Sequence, residues 1–325
     1  MKKIIYFVLI YSIQSFSACD LSINPSQDIQ TSLTSLGSNK TLCLSSGIFN
    51  SSSTIHLLRG QHISGINGDV NNLQTTIQST ANIVIQMNDN TQVHNFNVKS
   101  SGGNLATFGI LSYFDNNPVI WNLNIQHVKI GIGVNGSNNA QLLNNFLSLN
   151  GDLNNGGPDP SIWISHTLNT KLWYGYIVGR NNGAAGSQGF LIGDGEVSCY
   201  DSSGLTITGT RHDKSGTSSF YLVNCDNAIL DNVKIFYSNG FGLDIVGGTD
   251  NLIVKNTKVY FSKLSASVYD EIENSNGTYI NNLFYHNNTS NASNCNSISV
   301  LGNSNNLTLS GNTEVPLTSS LTCSF

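Results

Sequence analysis

Leu230-Asp231-Asn232-Val233-Lys234-Ile235 is followed 24 residues on by Val254-Lys255-Asn256-Thr257-Lys258-Val259, a second copy of one phrase: apolar–x–Asn–apolar–x–apolar. The phrase returns about every 23 to 29 residues. It also reads as Val93-His94-Asn95-Phe96-Asn97-Val98, Ile120-Trp121-Asn122-Leu123-Asn124-Ile125, Leu143-Asn144-Asn145-Phe146-Leu147-Ser148 and Ile280-Asn281-Asn282-Leu283-Phe284-Tyr285. A repeat of this length is one supersecondary unit. It cannot bury its own apolar face and has to stack on its neighbours.

Apolar positions two apart mark a strand with one buried face. Here the alternation changes phase at Asn, so positions −2, +1 and +3 face inward. A strand, a short bend and a second strand explain the skip. Asn suits the bend because it tolerates left-handed backbone angles, and Gly209 and Gly311 are at ease there for the same reason. Tyr174 holds the position in Leu172-Trp173-Tyr174-Gly175-Tyr176-Ile177. Coils stacked about 4.8 Å apart would set Asn on Asn and let the amides form a ladder. A third alternating strand lies between copies, as in Ile130-Gly131-Ile132-Gly133-Val134 and Phe241-Gly242-Leu243-Asp244-Ile245. Three short strands per repeat predict an all-β chain, a right-handed parallel β-helix (solenoid) of about eight to ten coils. A β-sandwich would show hairpin turns every 8 to 12 residues and no such register.

Met1 to Ala18 combines Lys2-Lys3, the apolar run Ile4–Ile13 and small residues at Ser15, Ser17 and Ala18. It reads as a signal peptide (1–18), too short to span a bilayer, which makes the protein exported: secreted, periplasmic or on the cell surface. Residues 19–325 then form a single β-helix domain. Charged residues make up only 10% of the chain and the net charge is −5, so no nucleic-acid partner is expected. Six cysteines in an exported chain read as three disulfides. One-coil spacing favours Cys19–Cys43, Cys199–Cys225 and Cys295–Cys323. A rival reading makes Phe16-Ser17-Ala18-Cys19 a lipobox, with membrane anchoring only if Cys19 is lipidated.

Asn24-Pro25-Ser26-Gln27, followed by Ile29, Leu33 and Leu36, predicts an amphipathic capping helix over 24–37 that plugs the open end of the solenoid. Next comes the strand and turn Thr41-Leu42-Cys43-Leu44-Ser45-Ser46-Gly47-Ile48-Phe49. Helix, strand and Asn-phased coils together resemble exported members of the pectate-lyase-like β-helix superfamily, and the likeness covers nearly the whole mature chain. The resemblance implies a fold that hosts many chemistries. Residues 151–201 break the register and read as an irregular insertion, either of the kind that builds a binding wall or one simply tolerated at the surface.

Specific motifs of that superfamily are missing. Ile162-Trp163-Ile164-Ser165-His166 echoes a Trp-Ile-Asp-His strand of pectate lyases, but Ser165 stands where the acid belongs, and it reads as strand packing. Gly242-Leu243-Asp244-Ile245 resembles a Gly-Ile-Asp-Ile strand common in the superfamily. Leu243 and Ile245 face in, so Asp244 faces out, with Tyr221 above it and Tyr269 or Asp270 below. Two carboxylates on adjacent coils would fall within the separation glycosidases use for an acid and a base; the alternative is that both are solvated surface acids. The outward +2 column carries Tyr176, Arg211, Lys234 and Lys258, a stack of cations that calls for an anion such as a uronate, or else reads as surface ion-pair patterning in which Asp231 and Lys255 pair locally on the other side of the bend. Lys214, Tyr237 and His286 follow the second strand, where this superfamily often builds its cleft. His212 reads as inward and packed.

The candidate catalytic set is therefore Asp244, Asp270, Lys214 and Arg211. The candidate substrate-binding set is Tyr221, Tyr237, Lys234, Lys258 and Tyr176. No metal-ligand spacing, phosphate loop or Gly-x-Ser-x-Gly elbow appears, so no cofactor is expected; Ca2+ stays open without a motif of its own. Two functions fit. One is a polysaccharide lyase, epimerase or hydrolase; the other is a non-catalytic secreted or surface protein that binds a glycan or partner.

Overall fold

A computed structural model describes residues 18–101, 105–148, 150, 160–179, 197–269, 276–289, 297–300 and 306–316. Each coil runs through a strand of a 12-stranded sheet, a bend, a strand of an 11-stranded sheet, a corner, and a strand of a 10-stranded sheet. One coil comprises Ile229–Asp231, Lys234–Phe236 and Leu243–Val246. Successive strands pair in parallel throughout, with equivalent residues in register. Among the described residues ten three-strand coils result, with Leu21–Ile23 before them and the pair Thr308–Ser310 and Thr313–Val315 after. With right-handed crossovers, this is the right-handed parallel β-helix that the phrase predicts.

The core is a set of columns. Ile85, Ile110, Ile132, Ile162, Val197, Phe220 and Leu243 stack on one another, and each is 0% exposed. Fully burying one such side chain contributes about 2 kcal/mol before ordering is counted. Glu314 brings a carboxyl into this array, standing in register with the inward Phe284 near the last coil. Burial raises its carboxyl's pKa, while the Ser297 N–H and Oγ–H donate to it.

The bend residues Asn95, Asn122, Asn144, Tyr174, Asn232, Asn256 and Asn281 all have φ between 48° and 65°. Amides join Asn95, Asn122 and Asn144 at 2.7 and 3.1 Å. A longer ladder sits at the other corner, unread in the sequence. Asn90, Asn117, Asn139 and Asn169 bond in series, and so do Asn227, Asn251, Asn276 and Asn306. At Gly209 a Cβ would lie 2.8 Å from the Tyr174 ring, so the glycine leaves room for that ring as well as accommodating φ +66°.

Two copies of the phrase are set one residue late in the sequence reading. Leu142 pairs with Ile120, and Ile280 with Lys255, so Asn144 and Asn281 are the bend residues. The next residues, Asn145 and Asn282, take the inward +1 place. They are 1% and 2% exposed, polar where the pattern expects an apolar side chain. Each amide satisfies the backbone of the coil before it: Asn145 donates to Ile120 O and accepts from Leu123 N, and Asn282 donates to Val254 O and accepts from Thr257 N. A one-residue slip exchanges inward and outward faces. Phe146 and Tyr285 therefore point out.

The helix spans Ile29–Leu36, shorter than 24–37, and its cap is Asp28, whose carboxylate accepts from Thr31 N. Asn24 instead closes a turn, accepting from Ser26 N and Gln27 N. Ile29 and Leu33 bury against the first coils. Within 151–201 the described residues are regular: Ile162–Ser165, Lys171–Trp173, Tyr176–Val178 and Val197–Ser203 all join their sheets. The Cys19–Cys43 and Cys199–Cys225 disulfides form as spaced, with Cα separations of 5.6 and 6.3 Å, and suit an oxidising compartment. Bonded Cys19 has no thiol left for an acyl chain, which removes the lipobox reading. The Cys295–Cys323 pair and residues 1–17 lie outside the described residues.

If Asn282 works as a buried backbone clamp, Asn282→Ala will lower unfolding free energy by about 1–3 kcal/mol. Asn281→Gly will change it little, since Gly accepts the same bend. Denaturant titration of both variants checks the order; the reverse order would contradict the corrected register.

Candidate functional site

The outward face of the 10-stranded sheet carries Leu111, Gly133, Trp163, Ser198, Tyr221, Asp244, Val268 and Ser299 in one register column. Trp163 faces out because Ile162 and Ile164 on either side face the core. Phe108 lies with its ring centroid 6.0 Å from Trp163. It rests over Gly133, where a Cβ would come within 2.6 Å of the ring. Tyr200, one column along, meets Tyr221 edge-to-face at 5.8 Å. Burial pushes the Tyr200 phenol pKa up. Asp244 follows Tyr221 on the next coil, half-buried between Leu243 and Ile245. Ser198 separates Trp163 from Tyr221 by two strand spacings, about 10 Å, so these two rings do not stack on each other.

The expected partner for Asp244 is displaced. Val268, buried at 1%, stands in register with it, and Tyr269 pairs with Ile245. Asp270 lies outside the described residues. Among the described residues the column therefore offers one carboxylate, whereas a hydrolytic pair needs two.

The 11-stranded sheet bears the cation column in the predicted register: Tyr176, Arg211, Lys234 and Lys258. Its charges are less alike than the sequence implies. Arg211 donates to Asp213 from Nη2 at 2.8 Å and from Nε at 3.1 Å, and this bond holds its pKa above the ordinary value. The Tyr176 hydroxyl donates to the same carboxylate at 2.7 Å. The guanidinium lies 5.2 Å from the Tyr176 ring centre and 4.9 Å from that of Phe236, a cation between two aromatic faces. Asp213, two residues along the same strand, is thus the anion that Arg211 requires. On the far side of the bend Lys255 pairs with Asp231 at 3.4 Å, as the spacing suggests.

Beyond the cations the coil outlines an aromatic ridge. Phe236 and Tyr260 are parallel within 1° at 4.7 Å, and Tyr285 continues the column 5.8 Å from Tyr260. The next residues, Lys214, Tyr237, Phe261 and His286, all turn the corner with φ between 51° and 61°. Tyr237 stacks on Phe261 at 5.0 Å, and Tyr285 on His286 at 3.8 Å. Stacked rings cover one another's faces, so the ridge stiffens the corner and presents mostly edges outward. Lys214 and Tyr237 therefore lie at the corner, between the face that holds Tyr221 and Asp244 and the face that holds Tyr176, Arg211, Lys234 and Lys258.

Other candidates resolve simply. His212 is 0% exposed, packs 4.4 Å from Phe220 and lies 3.0 Å from Thr210 Oγ1, and burial pushes its pKa down to about 3. Trp121 and Trp173 share a column two coils apart, and Trp121 stacks on His94 at 4.6 Å. Among the described residues no group of three His, Cys, Asp or Glu side chains could hold a metal, and no helix is long and apolar enough to cross a membrane. Phe236, Tyr260 and Phe261 escape the sequence reading, although aromatics at the fourth and fifth places after the bend Asn recur in three coils. The slipped copy at 280–285 put Tyr285 inside and hid that recurrence.

No protein-family model and no curated protein matches the chain. Solved structures do. The Dettilon tailspike protein superposes with a TM-score of 0.69 at 11% identity, over 90% of this chain and 62% of the tailspike. PfbA, a surface adhesin of Streptococcus pneumoniae, gives 0.59 at 10% identity over 90% of this chain and 87% of its own. The catalytic domain of a GH87 α-1,3-glucanase in complex with nigerose gives 0.57 at 9% identity over 91% and 68%. The chain spans about three fifths of the tailspike and, at 60%, of the Geobacillus virus E2 protein ORF18. At these identities the likeness is one of fold: the chain is a right-handed parallel β-helix.

Burial also fixes a pH response. His94, whose pKa is lowered to about 4, and His212 stay neutral when folded, while the unfolded chain takes up protons near pH 6.5. Acid therefore favours the unfolded chain from pH 6.5 downward, until the folded-state values are reached. The buried carboxyls Asp115 and Glu314, whose pKa values burial raises, oppose this nearer pH 4. The melting temperature should fall between pH 7 and pH 5, and His212→Leu should flatten that slope. An unchanged slope in the variant would contradict a neutral, buried His212.

Proposed function

We propose that this is an exported β-helix protein that binds a polysaccharide along the outward face of its 10-stranded sheet. The observation that carries the reading is the band of Phe108, Trp163, Tyr200 and Tyr221, side by side on a rigid sheet with Asp244 at its end. Sugar rings have apolar C–H faces and polar rims. They pack on aromatic side chains while a carboxylate accepts from their hydroxyls. The two-coil separation of Trp163 and Tyr221 suits two contacts along one extended chain rather than one stacked pair. The surface adhesin, glucanase and tailspike structures sharing this fold, together with the two disulfides, support an extracellular, glycan-related role.

Binding is favoured over hydrolysis because the column presents Asp244 beside Val268 rather than beside a second acid. The catalytic reading keeps one supporting observation, Asp244 half-buried at the edge of the aromatic band, which is a place for a general acid.

Retention of the protein on immobilised neutral and acidic polysaccharides tests the proposal. Trp163→Ala with Tyr221→Ala should weaken the retained glycan by about tenfold or more without unfolding the protein. Retention unaffected by both changes would place the ligand elsewhere. In parallel, new reducing ends or ultraviolet absorbance from unsaturated ends, abolished by Asp244→Asn, would replace the binding reading with the catalytic one.

A further inference from the structure

We infer that the 11-stranded sheet carries a second surface, for the anionic groups of an acidic polysaccharide, centred on Lys234 and Lys258. This rests on the reading that the partner is a polysaccharide, and it adds a separate face and a sign of charge.

Lys234 and Lys258 stand in register on neighbouring strands, and both side chains are exposed. Arg211 continues the column above them, and Leu283 closes it below. The corner beside them adds exposed Lys214 and Lys263. Among the described residues this flank thus gathers five cations against one carboxylate, Asp213, in a chain whose net charge is −5. The neighbouring cations show what pairing looks like in this fold: Arg211 has Asp213 and Lys255 has Asp231. Among the described residues neither Lys234 nor Lys258 has an acidic partner.

Two ammonium groups on adjacent strands, whose backbones lie about 4.8 Å apart, repel each other, and an anion between them turns repulsion into attraction. A linear acidic glycan laid along the solenoid axis would offer such anions repeatedly, one cation per coil. The parallel Phe236–Tyr260 stack one column over forms a stiff wall beside the lysines, so the charges are displayed on a fixed frame. Carboxylated and sulfated glycans share this chemistry. Nucleic acid fits less well, because the surrounding protein is acidic and supplies no broad basic field.

The disulfide-bonded protein should be titrated with polygalacturonate, dextran sulfate, neutral dextran and a single-stranded oligonucleotide at low and moderate salt. Tight binding of polygalacturonate alone would mark carboxylate as the recognised group, and binding of dextran sulfate as well would mark anionic charge in general. Either should weaken as salt rises. Lys234→Gln with Lys258→Gln should reduce that affinity by about tenfold. Lys255→Gln, whose lysine already has a partner, should leave it unchanged, and thermal melts of all variants should coincide with the parent. Wild-type affinity in the double variant would overturn the inference, as would an oligonucleotide that binds more tightly than both acidic glycans. Binding that fails here but stays sensitive to Trp163→Ala overturns only this second surface; no binding of any polysaccharide overturns both readings.

Discussion

In-register stacking of parallel strands sets each side chain about 4.8 Å from its counterpart on the next coil, and the rest of the molecule follows from that constraint. Apolar residues tolerate their own kind at this distance, so the core becomes columns such as Ile110, Ile132 and Ile162. Amides gain from it, since each can donate to one neighbour and accept from the other. Aromatic rings do so too, as in the Phe236–Tyr260 and Tyr237–Phe261 stacks. Like charges are the exception. Arg211 meets the constraint by taking Asp213 from two places along its strand and lying between two rings.

The bends obey a second rule nested in the first. A single residue in the left-handed region reverses which side of the chain faces inward, and the coils from Gln92 onward each have one at the same place. Asn fills most of these places because its amide also joins the ladder. Tyr174 and Gly209 form a local substitute, in which the ring of one coil lies where the next has no side chain. Inward asparagines serve a different end. Asn145 and Asn282 reach backbone groups of the preceding coil that the bend leaves without strand partners.

The consequences for function come from which faces remain. The 10-stranded sheet keeps an aromatic band with Asp244 at its edge, while the 11-stranded sheet has cations backed by stacked rings. Asp244, Tyr221, Arg211, Lys234 and Lys258 were legible as outward residues because their copies of the phrase are clean. Tyr285 and Phe146 were not, because a doubled Asn offers two equally good bend residues and only pairing chooses between them. Trp163 was visible but read as packing, since its motif lacks an acid; its place beside Phe108 depends on Gly133 one coil earlier.

By itself the sequence determined the solenoid, its three strands per coil, the bend residues of the copies with a single Asn and two disulfide pairs, because all of these are written as periodicity, and periodicity is local. Tertiary structure alone decided the register at Asn144 and Asn281, the displacement of Val268 to the place beside Asp244, and the pairing of Arg211 with Asp213. Each of these depends on which backbone hydrogen bonds form between coils. A shift of one residue there exchanges inside for outside while leaving the periodic pattern almost unchanged.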